Sequence, residues 1–256
     1  MRTKFLILYI LFALSFASCR SKKEVIYLQG SDQVKTPEAL ANYETIIQPD
    51  DVLHINIMSQ NSEAASPFNL EARAAAESSA GALSVQKQTY LVDKEGMIQF
   101  PVLGSIKVAG YTRTAFAEML KEKLRPYVSD AVVNLRVLNF KISVLGEVVK
   151  PGVVNVTGDR ITLLEVIAQC GDLTLQGIRK NILIVRDNQG VKTFNRVDIT
   201  QAEFVNSPFY YMKQNDVVYV EPRRTKIDAT AIGGNVTTTI SILGFLITTT
   251  ILLTRL

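Results

Sequence analysis

The sequence predicts an α+β chain: two small β-rich units in series, each with one amphipathic helix, then a C-terminal transmembrane amphipathic helix. Three observations carry this. From Tyr43 to Val220, short runs of apolar–polar alternation recur between Gly, Pro, Asn and Asp punctuation, the pattern of strands and turns. Two stretches, after Thr112 and Thr162, break that pattern with a helical period behind a capping residue. Nothing between Ala229 and Thr254 is charged.

Residues 1–18 read as a secretory signal, with a basic start at Arg2 and Lys4, an apolar run and then small residues. Phe16-Ala17-Ser18-Cys19 is a lipobox-like end, which makes Cys19 the expected lipid attachment. A plain signal peptide cleaved nearby, with Cys19 a bystander, is the alternative. Residues 19–42 are polar, have little periodicity and read as a lipidated tether. A single acyl anchor is marginal without a second signal or a triacyl group.

The first unit spans 43–140. Val52–Ile57 alternates, with Leu53, Ile55 and Ile57 on one face and His54 and Asn56 on the other. Residues 59–88 are rich in Ala, Ser, Gln and Asn and are expected to form a long loop or a short exposed helix outside the core. Tyr90–Val92 and Ile98–Phe100 flank Asp93-Lys94-Glu95-Gly96, a hairpin-like turn, and a further strand ends at Gly110. Thr112 or Thr114 caps a helix to about Tyr127, with Phe116, Met119, Leu120 and Leu124 inward and Glu118, Lys121, Glu122 and Arg125 outward. Residues 131–139 alternate as a strand.

The second unit spans 141–222. Ile142–Val148 and Val153–Val156 are strands around the Lys150-Pro151-Gly152 turn. Thr162-Leu163-Leu164-Glu165 is a capping box opening a short helix that Gly171 ends. Ile182–Arg186 and Val191–Val197 pair across Asp187-Asn188-Gln189-Gly190. Asn215-Asp216-Val217-Val218 echoes Asp50-Asp51-Val52-Leu53, and Val144-Leu145-Gly146 echoes Val102-Leu103-Gly104, short hints of related units.

A linker over 223–232 leads to the transmembrane helix expected over 233–254, whose 22 residues reach about 33 Å. On a helical projection Gly234, Thr237, Thr238, Ser241, Gly244 and Thr248 share one face, and Ile240, Leu243 and Ile247 lie opposite. Three readings fit: a single-span anchor, a small-residue dimerisation face, or a ring of helices with hydroxyls lining a pore. A chain already held by acyl groups has little use for a second plain anchor, which favours the ring.

The chemistry of an enzyme is thinly supplied. His54 is the only histidine, and it falls on the polar side of a strand. With Cys19 acylated, Cys170 is a lone thiol on a helix, which leaves no disulfide, no His/Cys metal site and no Cys-His nucleophile. Asp50-Asp51 could suggest paired carboxylates, but the pair opens a strand, where turn formation suffices. No phosphate-cradling loop occurs, and no cofactor is expected. Removing residues 1–18 takes away Arg2 and Lys4 and no acid, so 28 basic against 24 acidic residues becomes 26 against 24. That balance, with no basic helix, argues against nucleic acid as a partner.

Taken together, the motifs resemble those of the bacterial outer-membrane polysaccharide export lipoproteins of the Wza type. Tyr43-x4-Gln48-Pro49-Asp50-Asp51-Val52-Leu53 is similar to the opening of that family's export domain, with Asp50 where Gly is usual. Leu91-Val92-Asp93-x2-Gly96-x-Ile98-x-Phe100-Pro101-x2-Gly104 is similar to its middle. Val144–Val148 with Pro151-Gly152, and the helix from Thr162 to Gly171, resemble its soluble-ligand-binding β-grasp (SLBB) domain. The resemblance implies a homo-oligomeric ring, usually of eight subunits, that carries capsular or exopolysaccharide through the periplasm and across outer-membrane lipid. It also implies an inner-membrane co-polymerase with a tyrosine kinase as partner. A lipoprotein whose β-grasp domain binds glycan or a partner without forming a pore is the alternative.

Overall fold

A computed structural model describes residues 22–35, 43–69, 89–188, 190–224 and 235–253. In the first domain, β1 (Val52–Met58) lies between β2 (Thr89–Leu91) and β5 (Val132–Val137), antiparallel to both. Its alternation buries Leu53, Ile55 and Ile57 and turns His54 and Asn56 outward, with His54 opposite Arg136. β3 (Met97–Phe100) and β4 (Gly104–Lys107) form a separate antiparallel pair. The Asp93–Gly96 turn is present, but the strands on either side of it pair elsewhere, β2 with β1 and β3 with β4.

Helix α2 (Arg113–Leu124) closes this core; α1 is the single turn Ser62–Ala65. Thr112 caps α2 by accepting from the Ala115 amide at 3.2 Å, and Phe116, Leu120 and Leu124 are fully buried. One expectation is corrected here. The short exposed helix expected over 59–88 is present as Ser62–Ala65, but the stretch is not wholly outside the core: a 3₁₀ turn, Ser66–Phe68, drives Phe68 inward to stack on Phe100 and meet the edge of Tyr127, while residues 70–88 lie outside the described residues. Its single aromatic, in a run of small residues, leaves no period to read.

The second domain is a five-stranded sheet in the order β7-β6-β10-β8-β9. Its strands are β6 (Lys141–Gly146), β7 (Gly152–Asn155), β8 (Ile182–Asn188), β9 (Val191–Val197) and β10 (Val217–Val220), and all neighbours are antiparallel except β6 and β10. Helix α3 (Leu163–Gln169) covers one face, opened by the full Thr162–Glu165 capping box. Gly146 ends β6 at φ +91°, where a Cβ would lie 2.0 Å from the Val220 carbonyl; only glycine allows that approach of β6 to β10. Cys170 is buried behind α3, and burial raises its thiol pKa.

Residues 22–35 dock on the second domain. The Tyr27 hydroxyl donates to Asp172 at 2.5 Å under the Arg179 guanidinium, the Leu28 and Gln29 amides donate to the Ile199 and Thr200 carbonyls, and Glu24 pairs with Arg223 at 2.7 Å. The N-terminal segment and the exit toward the last helix therefore meet at one place on this domain.

Helix α4 covers Asn235–Leu253, 19 residues and about 28 Å. Among the described residues no helix is long and apolar enough to cross a membrane. The expectation of a transmembrane helix over 233–254 is therefore not met by this helix on its own. Its Thr, Ser, Gly and Asn lower the apolar content, and its regular length falls just short of a hydrocarbon core of about 30 Å.

Candidate functional site

The two domains meet through the connector 138–141 and two copies of one turn. Ahead of β1, Asp50 has φ +68°, the Asp51 amide donates to the Gln48 carbonyl, and Asp51 Oδ2 accepts from the Gln48 amide at 2.9 Å. Ahead of β10, Asn215 has φ +62°, the Asp216 amide donates to the Lys213 carbonyl, and Asp216 Oδ2 accepts from the Lys213 amide at 2.7 Å. Positive φ is uncommon outside Gly, and Asp and Asn tolerate it best. The sequence echo is thus a structural one.

Asn139 and Gln214 tie the two turns together. Asn139 accepts from the Val52 amide and donates to the Asp50 carbonyl; Gln214 donates to the Asn139 carbonyl and accepts from the Lys141 amide, all at 2.8–2.9 Å. Leading into the first turn, Thr45 donates to the Asp159 carbonyl and Tyr43 stacks on Tyr211 with centroids 4.6 Å apart. Arg160 lies over the Tyr211 ring, and Arg113 pairs with Asp159 at 2.6 Å.

The carboxylates of the twin turns differ. Asp216 is fully buried and held by Arg186, whose Nε donates to Oδ1 at 3.0 Å and Nη2 to Oδ2 at 2.7 Å. Asp51 is only 2% exposed, yet its Oδ1 has no hydrogen-bond partner among the described residues. Burial is the main force raising its pKa, to about 6, with neighbouring Asp50 adding and the Gln48 amide opposing. An unsatisfied buried oxygen of this kind costs about 1–3 kcal/mol. Asp51 lines a groove of about 750 Å³ between the domains, whose other walls include Tyr43, Arg113, Arg136, Asp159 and Arg160.

The residues singled out from sequence lie elsewhere. Cys19 and Gly234 fall outside the described residues. Thr237 and Thr238 belong to the first turn of α4. Ser241, Gly244 and Thr248 follow on one face of that helix, where the Thr248 hydroxyl donates to the Gly244 carbonyl at 2.6 Å. The groove at the joint was missed. The signal that could have found it is the Asp50-Asp51/Asn215-Asp216 echo together with Arg186, the arginine that serves only one of the two carboxylates.

Residues 39–138 match the family described as polysaccharide biosynthesis/export protein, and residues 140–220 match the SLBB domain. The chain is 30% identical over 138 residues to the EPS I polysaccharide export outer membrane protein EpsA of Ralstonia solanacearum, covering 52% of this chain and 36% of that protein. It is 29% identical over 138 residues to the protein of the same description in Ralstonia nicotianae, with the same coverage of each. The match thus spans about a third of the length of these relatives. With an export domain and an SLBB domain in this order, the chain belongs to the Wza-type family of polysaccharide export proteins.

Proposed function

We propose that this chain is a subunit of an outer-membrane conduit that exports capsular or exopolysaccharide and catalyses no reaction itself. The observation that carries the reading is the ordered pair of matched domains, together with relatives described as polysaccharide export outer membrane proteins. In this proposal residues 1–18 are removed, Cys19 carries lipid in the outer membrane, and the two domains stand in the periplasm as a homo-oligomeric ring. Helix α4 is the part that would pass the outer membrane. Its hydroxyl-rich composition disfavours a lone span; in a ring, Gly234, Thr237, Thr238, Ser241, Gly244 and Thr248 would face water and the opposite face lipid. A conduit needs polar, weakly binding walls, and the energy for transport comes from elsewhere, for which an inner-membrane co-polymerase with a tyrosine kinase is the proposed partner.

Deletion of the gene, with return of the full-length chain or of Cys19→Ala, tests this. Secreted polysaccharide is expected to disappear on deletion and to return with the intact chain only. Undiminished secretion in the deletion would refute the reading.

A further inference from the structure

The end of the second domain farthest from the first presents apolar side chains to water. β6 and β10 run in parallel away from the domain joint, and the loops that follow them converge there with loop 171–177 and the docked segment. The Val149 amide donates to the Asp172 carbonyl, Thr174 to Glu147, and Arg223 to Gln176. Leu175 is 70% exposed, and no large apolar side chain described in either domain is more so. Val149 and Ile26 are exposed at the same end, by 56% and 43%.

The exposure of Leu175 is not slack. Arg179, itself buried, donates through Nη1 to the Thr174 and Gly177 carbonyls and through Nη2 to the Leu173 carbonyl, at 3.1–3.3 Å. The Thr174 hydroxyl donates to Glu147 at 2.6 Å. Burying a guanidinium is costly, and what this one fixes is a loop with its leucine turned outward. Scattered exposed apolar residues are ordinary; three at one end, one of them on a braced loop, form a surface.

The rim of that surface is basic. Lys23, Lys150 and Arg224 are exposed there. Its acids are engaged, Glu24 by Arg223, Glu147 by Thr174 and Asp172 by the Tyr27 hydroxyl. Aliphatic side chains among cations suit the boundary of a phospholipid leaflet, where cations meet phosphate and the apolar groups reach toward the acyl chains. Chain length says which surface is within reach. Cys19 precedes Lys23 by four residues, at most about 14 Å of extended chain. A lipid on Cys19 therefore keeps this end beside the leaflet, and the exit toward α4 leaves from the same place.

We propose that Leu175, Val149 and Ile26 enter the headgroup layer of the leaflet that holds the Cys19 lipid, with Lys23, Lys150 and Arg224 against lipid phosphates. The inference rests on the lipid attachment proposed above. It adds a third contact with the membrane, made by the folded domain itself.

The chain contains no tryptophan, so Leu175→Trp supplies a single reporter. The full-length chain carrying it is reconstituted into vesicles of phosphatidylethanolamine and phosphatidylglycerol, with acyl chains either plain or brominated. Val132→Trp, at the end of β5 away from the joint and 55% exposed, is the control. Both positions are open to water, so both variants are expected to fold. At position 175 the emission is expected to shift to the blue and to fall at least twofold with brominated chains; at position 132 neither is expected. Protein that floats with the vesicles but shows no quenching at 175, or equal quenching at 132, would overturn the contact and leave the lipid attachment standing. A blue shift at 175 without quenching would put a protein surface there and also overturn it. An unmodified Cys19 by mass spectrometry, or protein that fails to float, removes the attachment and this contact with it.

Discussion

Asp216 receives three hydrogen bonds from Arg186, whereas Asp51, in the same turn of the first domain, receives one from the Gln48 amide, so removing charge at the two places is expected to have opposite results. Arg186→Ala strands a buried carboxylate and is expected to lower the stability of the second domain by about 3–5 kcal/mol, read from the midpoint of its denaturant unfolding. Asp51 behaves the other way. Its folded pKa stands above the ordinary 3.8, at about 6, so the folded state holds the proton more tightly than the unfolded chain does. The penalty for its charge is absent below about pH 4, grows between about 4 and 6, and is complete above that. Asp51→Asn is therefore expected to stabilise the protein at pH 7 by roughly 1–3 kcal/mol, and by almost nothing at pH 4. A loss of stability at both pH values would mean that the carboxylate has a donor in the free protein.

At the scale of elements, the segment 22–35 is held by few but specific contacts. Tyr27→Ala removes a hydroxyl bond, a cation–π contact and packing against the core, so the Leu28 and Gln29 amides are expected to exchange hydrogen at least tenfold faster while α2 is unchanged. Unchanged protection would show that the two backbone bonds suffice. On α4, with Cys170 replaced, single cysteines at Ser241 and Thr248 are expected to react with a polar thiol reagent in membranes, and those at Leu243 and Ile247 to be protected. Equal reactivity on both faces would remove the pore-lining role. These elements also show what the sequence could and could not reveal. β1, α2 and α3 were legible because period and cap coincide: Leu53, Ile55 and Ile57 alternate, and Thr112 and Thr162 each precede an apolar stripe. The 22–35 segment and Phe68 were not, because each docks through isolated side chains or backbone bonds with no repeat. The turn at Asp93–Gly96 was legible, but the partners of β2 and β3 were not, because a turn says nothing of which strands lie beside those that leave it.

At the scale of the whole molecule, the Glu24–Arg223 pair brings the approach from Cys19 and the departure toward α4 to one place on the second domain. In the proposed conduit, a lipid on Cys19 and helix α4, both reached from this place, would hold every subunit of the ring in the same orientation to the membrane. Order within one chain was readable from motifs, because each domain carries its own turns and caps. The joint was not, because its bonds link residues far apart in sequence, such as Val52 with Asn139 and Thr45 with Asp159. The central claim, a closed conduit built from copies of this chain, is tested most directly by particle images of the full-length protein extracted in detergent. The account predicts a closed ring with a central opening, its wall formed by the two domains and its narrow end by converging copies of α4. Separate single chains, persisting across detergents and at high protein concentration, would contradict it.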